Sequence, residues 1–327
     1  MLFKIHQIKH ILLQFISKIL YITKSSLIKL AVNLILLLLF LISLLPRMII
    51  NIMIVIFANI AYYVVKQRRH VGLINLKLCF PNMSLKNRQK IIKQHFYELI
   101  DSVFAYGLVF FATQEKIKKL VKLKNFHYLT KHYQQRPIIL LCPHFVGLDI
   151  GIMRLGLEGV VGFSMYSKQS NDYLTKKLYQ ARIRFIADRC KIFSRSEGLR
   201  PIIRGLRETN GLFYYLPDQD VGTKDTIFAP FFAHTHCSTI DALPKIVKLT
   251  NALVVPVAIY KTDNYSYELE FFPAWQNYPT ENKYYDIIFM NQYIEAAILK
   301  ALAQYFWLHK KFKTQPNLPR GAIYDAN

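Results

Sequence analysis

Acidic residues are missing from the first 97 positions of this 327-residue chain, and the first one is Glu98. The same stretch holds 14 lysines and arginines, and the whole chain has a formal net charge of +23. A basic surface beside an apolar run suits anionic lipid headgroups. Nucleic-acid binders need the basic surface but no such run. We therefore predict a membrane partner and no nucleic-acid partner.

Cysteine, glycine and proline are scarce, which argues against several other classes of protein. The four cysteines (Cys79, Cys142, Cys190 and Cys237) are scattered and form no CxxC motif, which argues against a disulfide framework or a zinc finger and favours a reducing cytosolic setting. The chain has only 12 glycines and 13 prolines, too few for a collagen-like or linker-like chain. The basic N-terminal region is too long for a signal peptide, and no small-residue cleavage site follows the apolar stretch after it.

A long apolar stretch follows the basic N-terminus. Between Leu30 and Val65 the only formal charge is Arg47. Residues 27–45 approach the roughly 20 residues that cross a bilayer, and Pro46 ends that run. A buried core helix is the alternative, but so long a stretch with one charge exceeds ordinary helix lengths. Basic clusters on both sides would require a hairpin or re-entrant segment under the positive-inside rule.

We therefore predict three parts of the chain. They are a basic segment of residues 1–26, a membrane anchor of residues 27–65 with one span over 27–45 and then an interfacial or re-entrant segment, and a domain of residues 66–327.

Strands and helices alternate after the anchor. Apolar runs predict strands at residues 137–142, 160–164, 212–216 and 252–260. Helical periodicity or position predicts helices at residues 85–111, 148–157, 171–182, 197–208, 240–249 and 284–309. This alternation is typical of a layered α/β domain.

His144 and Asp149 form an HxxxxD motif between a predicted buried strand and an apolar helix. Within one helix, side chains five positions apart diverge, but across a strand-to-helix turn they can meet. Asp149 would then orient the imidazole, and the other ring nitrogen of His144 would be free as a general base. The alternative interpretation is that both residues cap the start of the helix.

Further polar residues follow the predicted strands and helices. Asp218 and Asp220 end the apolar strand at 212–216, and the carboxyl ends of strands are where open α/β sheets place their sites. Metal binding or a solvated turn are the alternatives there. Arg182 and Arg184 suit phosphate or carboxylate contacts. Residues 234–237 (HTHC) have the spacing of metal ligands, but without a fourth ligand nearby we predict no metal.

Several separated segments together resemble one family. They are residues 75–81 (NLKLCFP), the HxxxxD motif at 144–149, Arg184, residues 217–220 (PDQD) and residues 307–316 (WLHKKFKTQP). From about residue 28 to 318 the chain is similar to the bacterial lipid A late acyltransferases, the lauroyl and myristoyl transferases of lipopolysaccharide assembly. HxxxxD alone is shared with glycerolipid acyltransferases, whereas its combination with PDQD and WLHKKFKT is far more specific.

The resemblance implies a glycerolipid-acyltransferase-like α/β domain with an N-terminal transmembrane helix. The implied activity moves a fatty acyl chain from an acyl carrier protein thioester to a hydroxyl of a lipid A precursor. The implied place is the cytosolic side of the bacterial inner membrane, and the partners are the carrier protein, an anionic phosphorylated lipid and the membrane. The family needs no cofactor. Another acceptor, such as a lysophospholipid or glycolipid, and a non-catalytic basic membrane-surface protein remain as alternatives.

The resemblance also assigns roles to residues. His144 would be the base and Asp149 its orienting acid, and backbone N–H groups at the start of the next helix could stabilise the oxyanion. The predicted substrate-binding residues are Arg184, Asp218, Asp220, Lys168 and Asn171. At residues 166–171 (YSKQSN) the chain departs from the YRPxxN of many members, and Lys168 can supply the lost positive charge.

Overall fold

The structure is a computed structural model that describes residues 26–262 and 265–325. Two apolar helices open this part of the chain, α1 (Ser26–Ser43) and α2 (Arg47–Val64). Each is long and apolar enough to cross a membrane, and most of their large apolar side chains are exposed. The predicted span coincides with α1, while the second stretch is also one continuous helix. The division into segments stays a prediction, and residues 1–25 of the basic segment lie outside the described residues.

Both apolar helices pack on the long helix α4 (Leu85–Phe111). A Cβ at Gly107 would lie 2.5 Å from the carbonyl oxygen of Leu39, so glycine permits the close approach of α1. The guanidinium of Arg47, at the start of α2, lies 2.9 Å from the Asp101 carboxylate of α4. The apolar helices are therefore fixed to the rest of the protein by packing and by an ion pair.

The remaining helices and strands follow in alternation. The helices are α3 (Lys66–Cys79), α5 (Gln114–Leu120), α6 (His127–Thr130), α7 (Leu148–Gly156), α8 (Asp172–Ile183), α9 (Arg200–Thr209), α10 (Ala242–Thr250) and α11 (Lys283–Lys300). The strands are β1 (Val121–Lys124), β2 (Ile138–Leu141), β3 (Gly162–Tyr166), β4 (Cys190–Ser194), β5 (Leu212–Tyr215), β6 (Thr226–Phe231), β7 (His234–Ile240), β8 (Leu253–Lys261) and β9 (Tyr267–Phe271).

Seven of these strands form one sheet in the order β1-β9-β8-β2-β5-β3-β4. The five strands from β8 to β4 are parallel, whereas β9 runs antiparallel to β8 and carries β1 parallel to itself. Strands β6 and β7 form a separate antiparallel pair. Every residue of β2 and β5 is buried, which explains their unbroken apolar sequences. The predicted layered α/β class is confirmed.

The predicted elements match the structure best where the apolar signal is strong. Helix 85–111 has the predicted bounds, and Ser84 caps it by accepting from the Asn87 N–H. The four predicted strands are present, each shifted by no more than two residues. The edge strands β1 and β4, the pair β6 and β7, and β9 were not predicted, because their short sequences mix polar and apolar residues.

The last predicted helix, 284–309, is wrong at its C-terminal end. Helix α11 stops at Lys300, and the backbone of Ala301 (φ −147°, ψ 65°) leaves the helical region. The following segment crosses the carboxyl edge of the sheet instead. There the Val146 N–H donates to the Gln304 carbonyl oxygen at 3.0 Å, and the Phe306 N–H donates to the His144 carbonyl oxygen at 2.9 Å. These tertiary hydrogen bonds replace the helical ones that the apolar periodicity led us to expect.

Candidate active site

His144 and Asp218 face each other because two neighbouring strands end in register. In the parallel pair β2 and β5, Leu141 lies opposite Tyr215, and three residues further along each strand come His144 and Asp218. Nδ1 of His144 lies 2.5 Å from Oδ1 of Asp218. The backbone N–H of His144 donates to the other carboxylate oxygen at 2.9 Å. Asp218 therefore holds both the ring and the backbone of His144.

The surroundings of this pair keep Asp218 ionised. Burial alone would raise the pKa of Asp218, but the charges of His144 and Lys311 and the hydrogen bonds from His144 lower it to about 2. A carboxylate on Nδ1 stabilises the tautomer with its proton there and leaves Nε2 as the unprotonated nitrogen. The His144 side chain is 23% exposed and the Asp218 side chain 0%. His144 can therefore reach a substrate. The buried Asp218 carboxylate instead contacts His144, in place of the substrate contact predicted for it.

A cavity of about 310 Å³ opens in front of His144. It is bounded by α4, the turn into α7, the ends of β3 and β5, and α8. Most of its wall is apolar and includes Leu99, Val109, Ile152, Ile192 and Phe306. A smaller cavity of about 30 Å³ shares Ile152 and Ile192 with it and lies further into the core. The space beside the histidine therefore suits a hydrocarbon chain.

Asp149 lines the same cavity but makes different contacts from those predicted. Its carboxylate binds Nε and a terminal nitrogen of Arg182 at 2.8 and 3.0 Å, and it accepts a hydrogen bond from the Tyr106 hydroxyl. The predicted contact between Asp149 and His144 is wrong, because the strand register gives the imidazole Asp218 instead. Asp149 is positioned to orient Arg182, and its catalytic role stays a prediction.

Arg182 lines the cavity, whereas Arg184 does not. The guanidinium of Arg184 donates to the carbonyl oxygens of Leu108, at 3.1 Å, and Ala112, where α4 ends. Residues two apart on a helix point about 200° away from each other, so only one of these arginines can face the cavity. The sequence offered both arginines, and the orientation of α8, which no local pattern gives, places Arg182 in the cavity wall. A role of Arg184 in substrate binding stays a prediction.

Asp220 is also bound within the protein. Its carboxylate accepts hydrogen bonds from the Gly222 N–H at 3.0 Å, the Thr314 N–H at 2.8 Å and the Thr314 hydroxyl at 2.9 Å. It does not line the cavity, so the contact predicted for it with substrate is replaced by one with the C-terminal segment. It ties the PDQD turn to that segment.

Lys168 and Asn171 lie outside the cavity as well. Asn171 caps α8, where its side-chain oxygen accepts from the Leu174 N–H at 3.0 Å. Lys168 is exposed in the loop before α8. The structure therefore gives Asn171 a capping role and places neither residue in the wall of this cavity. The substrate contacts of Lys168 and Asn171 stay predictions.

The three separated segments NLKLCFP, PDQD and WLHKKFKTQP meet behind the histidine. The Asn75 amide of α3 donates to the carbonyl oxygens of Trp307 at 2.6 Å and His309 at 2.8 Å. Nζ of Lys311 donates to the Asp218 carbonyl oxygen at 2.9 Å. These contacts were missed by sequence reasoning, which assigned no role to Asn75 or Lys311. Together they fix the turn that carries Asp218.

The N-terminus of α7 opens on the cavity. Gly147 has φ +85°, and a Cβ there would lie 2.6 Å from the ring of Tyr267, so the position requires glycine. No side chain caps the helix, and residues 147–150 all line the cavity. The first N–H groups of a helix have no partner within it and carry its positive dipole end. They are suitable donors for a developing negative charge.

The HTHC run does not form a metal site. Nε2 of His234 lies 3.2 Å from the Gln315 side-chain oxygen, while Cys237 is buried. Across residues 26–262 and 265–325, no group of three His, Cys, Asp or Glu side chains is arranged to hold a metal ion.

Comparison with known proteins agrees with the motifs. Residues 22–314 match the family described as bacterial lipid A biosynthesis acyltransferase. A lipid A biosynthesis acyltransferase of Haemophilus influenzae is 30% identical over 80% of this chain and 82% of its own length. Lipid A biosynthesis palmitoleoyltransferase of Escherichia coli is 29% identical over 77% of this chain and 80% of its own. Lipid A biosynthesis lauroyltransferase of the same organism is 26% identical over 79% and 83%.

A solved structure also aligns with the chain. It is 1-acyl-sn-glycerophosphate acyltransferase from Thermotoga maritima, which aligns over 80% of this chain and 99% of its own, with 13% identity. The TM-score of 0.38 is too low to carry a conclusion about fold.

The sequence matches define the class of protein as an acyltransferase. The chain belongs to the bacterial lipid A biosynthesis acyltransferase family, as the segments 75–81, 144–149, 217–220 and 307–316 predicted.

Proposed function

We propose that the protein transfers a fatty acyl chain from an acyl carrier protein thioester to a hydroxyl of a lipid A precursor. This is the secondary acylation step of lipopolysaccharide biosynthesis. The observation that supports it most directly is the His144–Asp218 pair at the edge of an apolar cavity. The pair supplies a base, the cavity accepts a hydrocarbon chain, and family membership supplies the reaction class.

His144 acts as the general base in this proposal. A hydroxyl does not attack a thioester at neutral pH without losing its proton, so a positioned base is needed. Nε2 takes the proton as the hydroxyl oxygen bonds to the thioester carbon, and Asp218 stabilises the imidazolium that forms. The carbon–sulfur bond then breaks, and the imidazolium returns the proton to the leaving thiolate.

The start of α7 stabilises the intermediate. The carbonyl oxygen of the thioester becomes negative when the hydroxyl attacks. Residues 147–150 line the cavity at the uncapped start of α7, and their backbone N–H groups are the donors proposed for that oxygen. Loss of one oxyanion donor, a side-chain amide, costs about 2.7–4 kcal/mol in a serine protease, which sets the scale for such donors. No metal ion takes part in the proposed step.

Arg182 holds a polar part of the substrate. Two of its nitrogens bind Asp149, which fixes the plane of the guanidinium, and its remaining donors are left for a ligand. Burial opposes the charge of Arg182, but the charge and hydrogen bonds of Asp149 outweigh it and raise the pKa. The residue thus stays positive beside the reacting groups. Asp149 serves the site by positioning it.

The domain lies on the cytosolic side of the inner membrane in this proposal. Lys66, Arg68 and Arg69 directly follow α2, and cytoplasmic flanks are enriched in such residues. Arg68 also donates to the Leu308 carbonyl oxygen at 3.2 Å, which fixes the end of the membrane segment to the WLHKKFKT segment. The site therefore lies near the bilayer surface, where a lipid acceptor can reach it.

A reconstituted assay tests the function. Purified protein in detergent is incubated with two substrates, a fatty-acyl carrier protein and a lipid A precursor. The mass of the product is measured by mass spectrometry. The expected product is heavier by one acyl chain, and it is absent when His144→Ala replaces the wild type. Transfer to a lysophospholipid and not to the lipid A precursor would contradict the proposed acceptor. Transfer from coenzyme A but not from the carrier would contradict the proposed donor.

A further inference from the structure

Four basic side chains gather beside the PDQD turn. We call Arg195, Lys310, Lys313 and Arg320 the cationic cluster. The loop 313–321 brings two of them together, because the Gly321 N–H donates to the Lys313 carbonyl oxygen at 2.6 Å. Nζ of Lys313 and a terminal nitrogen of Arg320 each lie 3.9 Å from Oδ1 of Asp220.

Asp220 does not neutralise this cluster. Three hydrogen bonds from Gly222 and Thr314 already occupy its carboxylate. A separation of 3.9 Å is too long for a hydrogen bond, so neither cation binds the carboxylate directly. The one negative charge of Asp220 thus lies beside Lys313 and Arg320, and the charges of Arg195 and Lys310 act on Lys313 as well.

The other three cations of the cluster repel the charge of Lys313. Burial and the charges of the other three members lower the pKa of Lys313, which outweighs the opposite effect of Asp220. Within residues 26–262 and 265–325, the side chains of the cluster make no hydrogen bond and no ion pair shorter than 3.9 Å. An arrangement of this kind is stabilised by an anion with several acceptor oxygens, and lysine and arginine together are well suited to phosphate.

The cluster adjoins the reacting pair. Lys311, between two of its members in sequence, donates to the Asp218 carbonyl oxygen, and Asp220 follows Asp218 by two residues. An anion held by the cluster would therefore sit at the edge of the site, outside the apolar cavity. That is the place for a charged part of a substrate whose reacting group lies at His144.

We infer that the cationic cluster is a phosphate-binding subsite for one of the two substrates. The ligand is a phosphate monoester or diester, and it has two sources under the proposed function, on which this inference rests. One is the phosphodiester that links the pantetheine arm to the carrier protein, and the other is a phosphate of the lipid acceptor.

Binding of small probes tests the subsite without any catalysis. Full-length wild type, Lys313→Gln and Arg320→Gln are titrated in detergent with pantetheine 4′-phosphate and with N-acetylglucosamine 1-phosphate. Pantetheine and N-acetylglucosamine are the matched phosphate-free probes. At least one phosphate probe should bind wild type, and each variant should bind it about 10- to 100-fold more weakly, as for a lost charge-assisted hydrogen bond. The phosphate-free probes should not distinguish the proteins.

Lys131→Gln is the control for loss of a positive charge. Lys131 is exposed in the loop before β2, at the amino end of the strand and so at the opposite edge of the sheet. This variant should bind like wild type. Arg320 is 59% exposed, so Arg320→Gln is expected to fold even if Lys313→Gln does not. The inference would be overturned if Arg320→Gln bound each phosphate probe as tightly as wild type does. It would also be overturned if wild type bound neither phosphate probe.

Steady-state kinetics distinguishes the two sources. If the carrier supplies the phosphate, the variants raise KM for the acylated carrier, and the effect disappears with an acylated pantetheine that lacks phosphate. If the acceptor supplies it, the effect disappears with a dephosphorylated acceptor instead. The inference is overturned if the variants still raise KM with both phosphate-free substrates. It is also overturned if the rise in KM depends only on the anionic lipid content of added vesicles. Absence of transfer by wild type would contradict the proposed function and leave the probe titrations to decide the subsite.

Discussion

At the scale of single residues, Asp218 determines what His144 can do. It accepts hydrogen bonds from both the ring and the backbone of His144 and is fully buried. Asp149, at the end of the HxxxxD motif, binds Arg182 instead. The two aspartates therefore serve different groups, and their substitutions should differ in kinetics.

Asp218→Asn should lower kcat by about 10²–10⁴ with little change in KM. An amide fills the same space but cannot stabilise the imidazolium or select the tautomer with Nε2 free. Asp149→Asn should act through Arg182 and raise KM more than Asp218→Asn does. Steady-state rates with a carrier-bound acyl donor check both. Near-wild-type kcat for Asp218→Asn would contradict the assignment.

Arg182 in α8 and Arg184 directly after it offer a second contrast. Arg182→Ala should reduce kcat/KM by about 10²-fold through lost positioning. Arg184→Ala should leave kcat/KM near wild type but lower the free energy of unfolding by about 1–3 kcal/mol, because the Ala112 carbonyl loses the guanidinium as a donor and the Leu108 carbonyl keeps only the Ala112 N–H. Kinetics and chemical unfolding of both variants separate the roles. The reverse pattern would show that Arg184 belongs to the site.

At the scale of elements, the sharp entry into α7 brings backbone donors to the cavity. Gly147 makes this turn with φ +85°, against the face of Tyr267. The turn depends on both the positive φ and the missing side chain, and the two requirements can be separated experimentally.

Gly147→Ala should lower both stability and activity. A Cβ there would lie 2.6 Å from the Tyr267 ring, which adds overpacking of about 1–3 kcal/mol to the strain of a positive φ. Gly198→Ala is the matched control, since Gly198 has φ +69° but nothing within 4 Å of the added carbon. Thermal unfolding should rank Gly147→Ala below Gly198→Ala. Addition of Tyr267→Ala should recover part of the activity, and no recovery would argue against the clash.

At the scale of the whole molecule, two exposed apolar helices are fixed to a basic α/β domain. Helices α1 and α2 pack on α4, whose other residues line the cavity beside His144. Anchoring and site therefore share one helix. This arrangement holds the site at a constant distance from the apolar helices, which suits a lipid acceptor that stays in the bilayer.

Protease added to intact spheroplasts should leave the domain after residue 66 uncut. The basic residues that follow α2 favour a cytosolic position, where the inner membrane protects the domain. Immunoblotting with a C-terminal tag measures the fragment, and a periplasmic protein digested in the same sample is the control. Digestion of the domain in intact spheroplasts would reverse the proposed topology.

The sequence by itself determined the class of fold, the two apolar segments, the bounds of α4 and the family. Those features depend on local signals: apolar periodicity, an unbroken aliphatic run and short motifs at fixed spacing. It also singled out His144 as a candidate base, because a histidine between a buried strand and a helix is a local pattern.

Only the tertiary structure decided the partner of His144, the arginine of the cavity and the course of the chain after Lys300. His144 and Asp218 are 74 residues apart, and they meet because β2 and β5 are neighbours with Leu141 opposite Tyr215. Strand order and register depend on packing between distant segments, which no local pattern specifies. The same holds for Arg182, whose choice over Arg184 depends on which face of α8 meets the sheet.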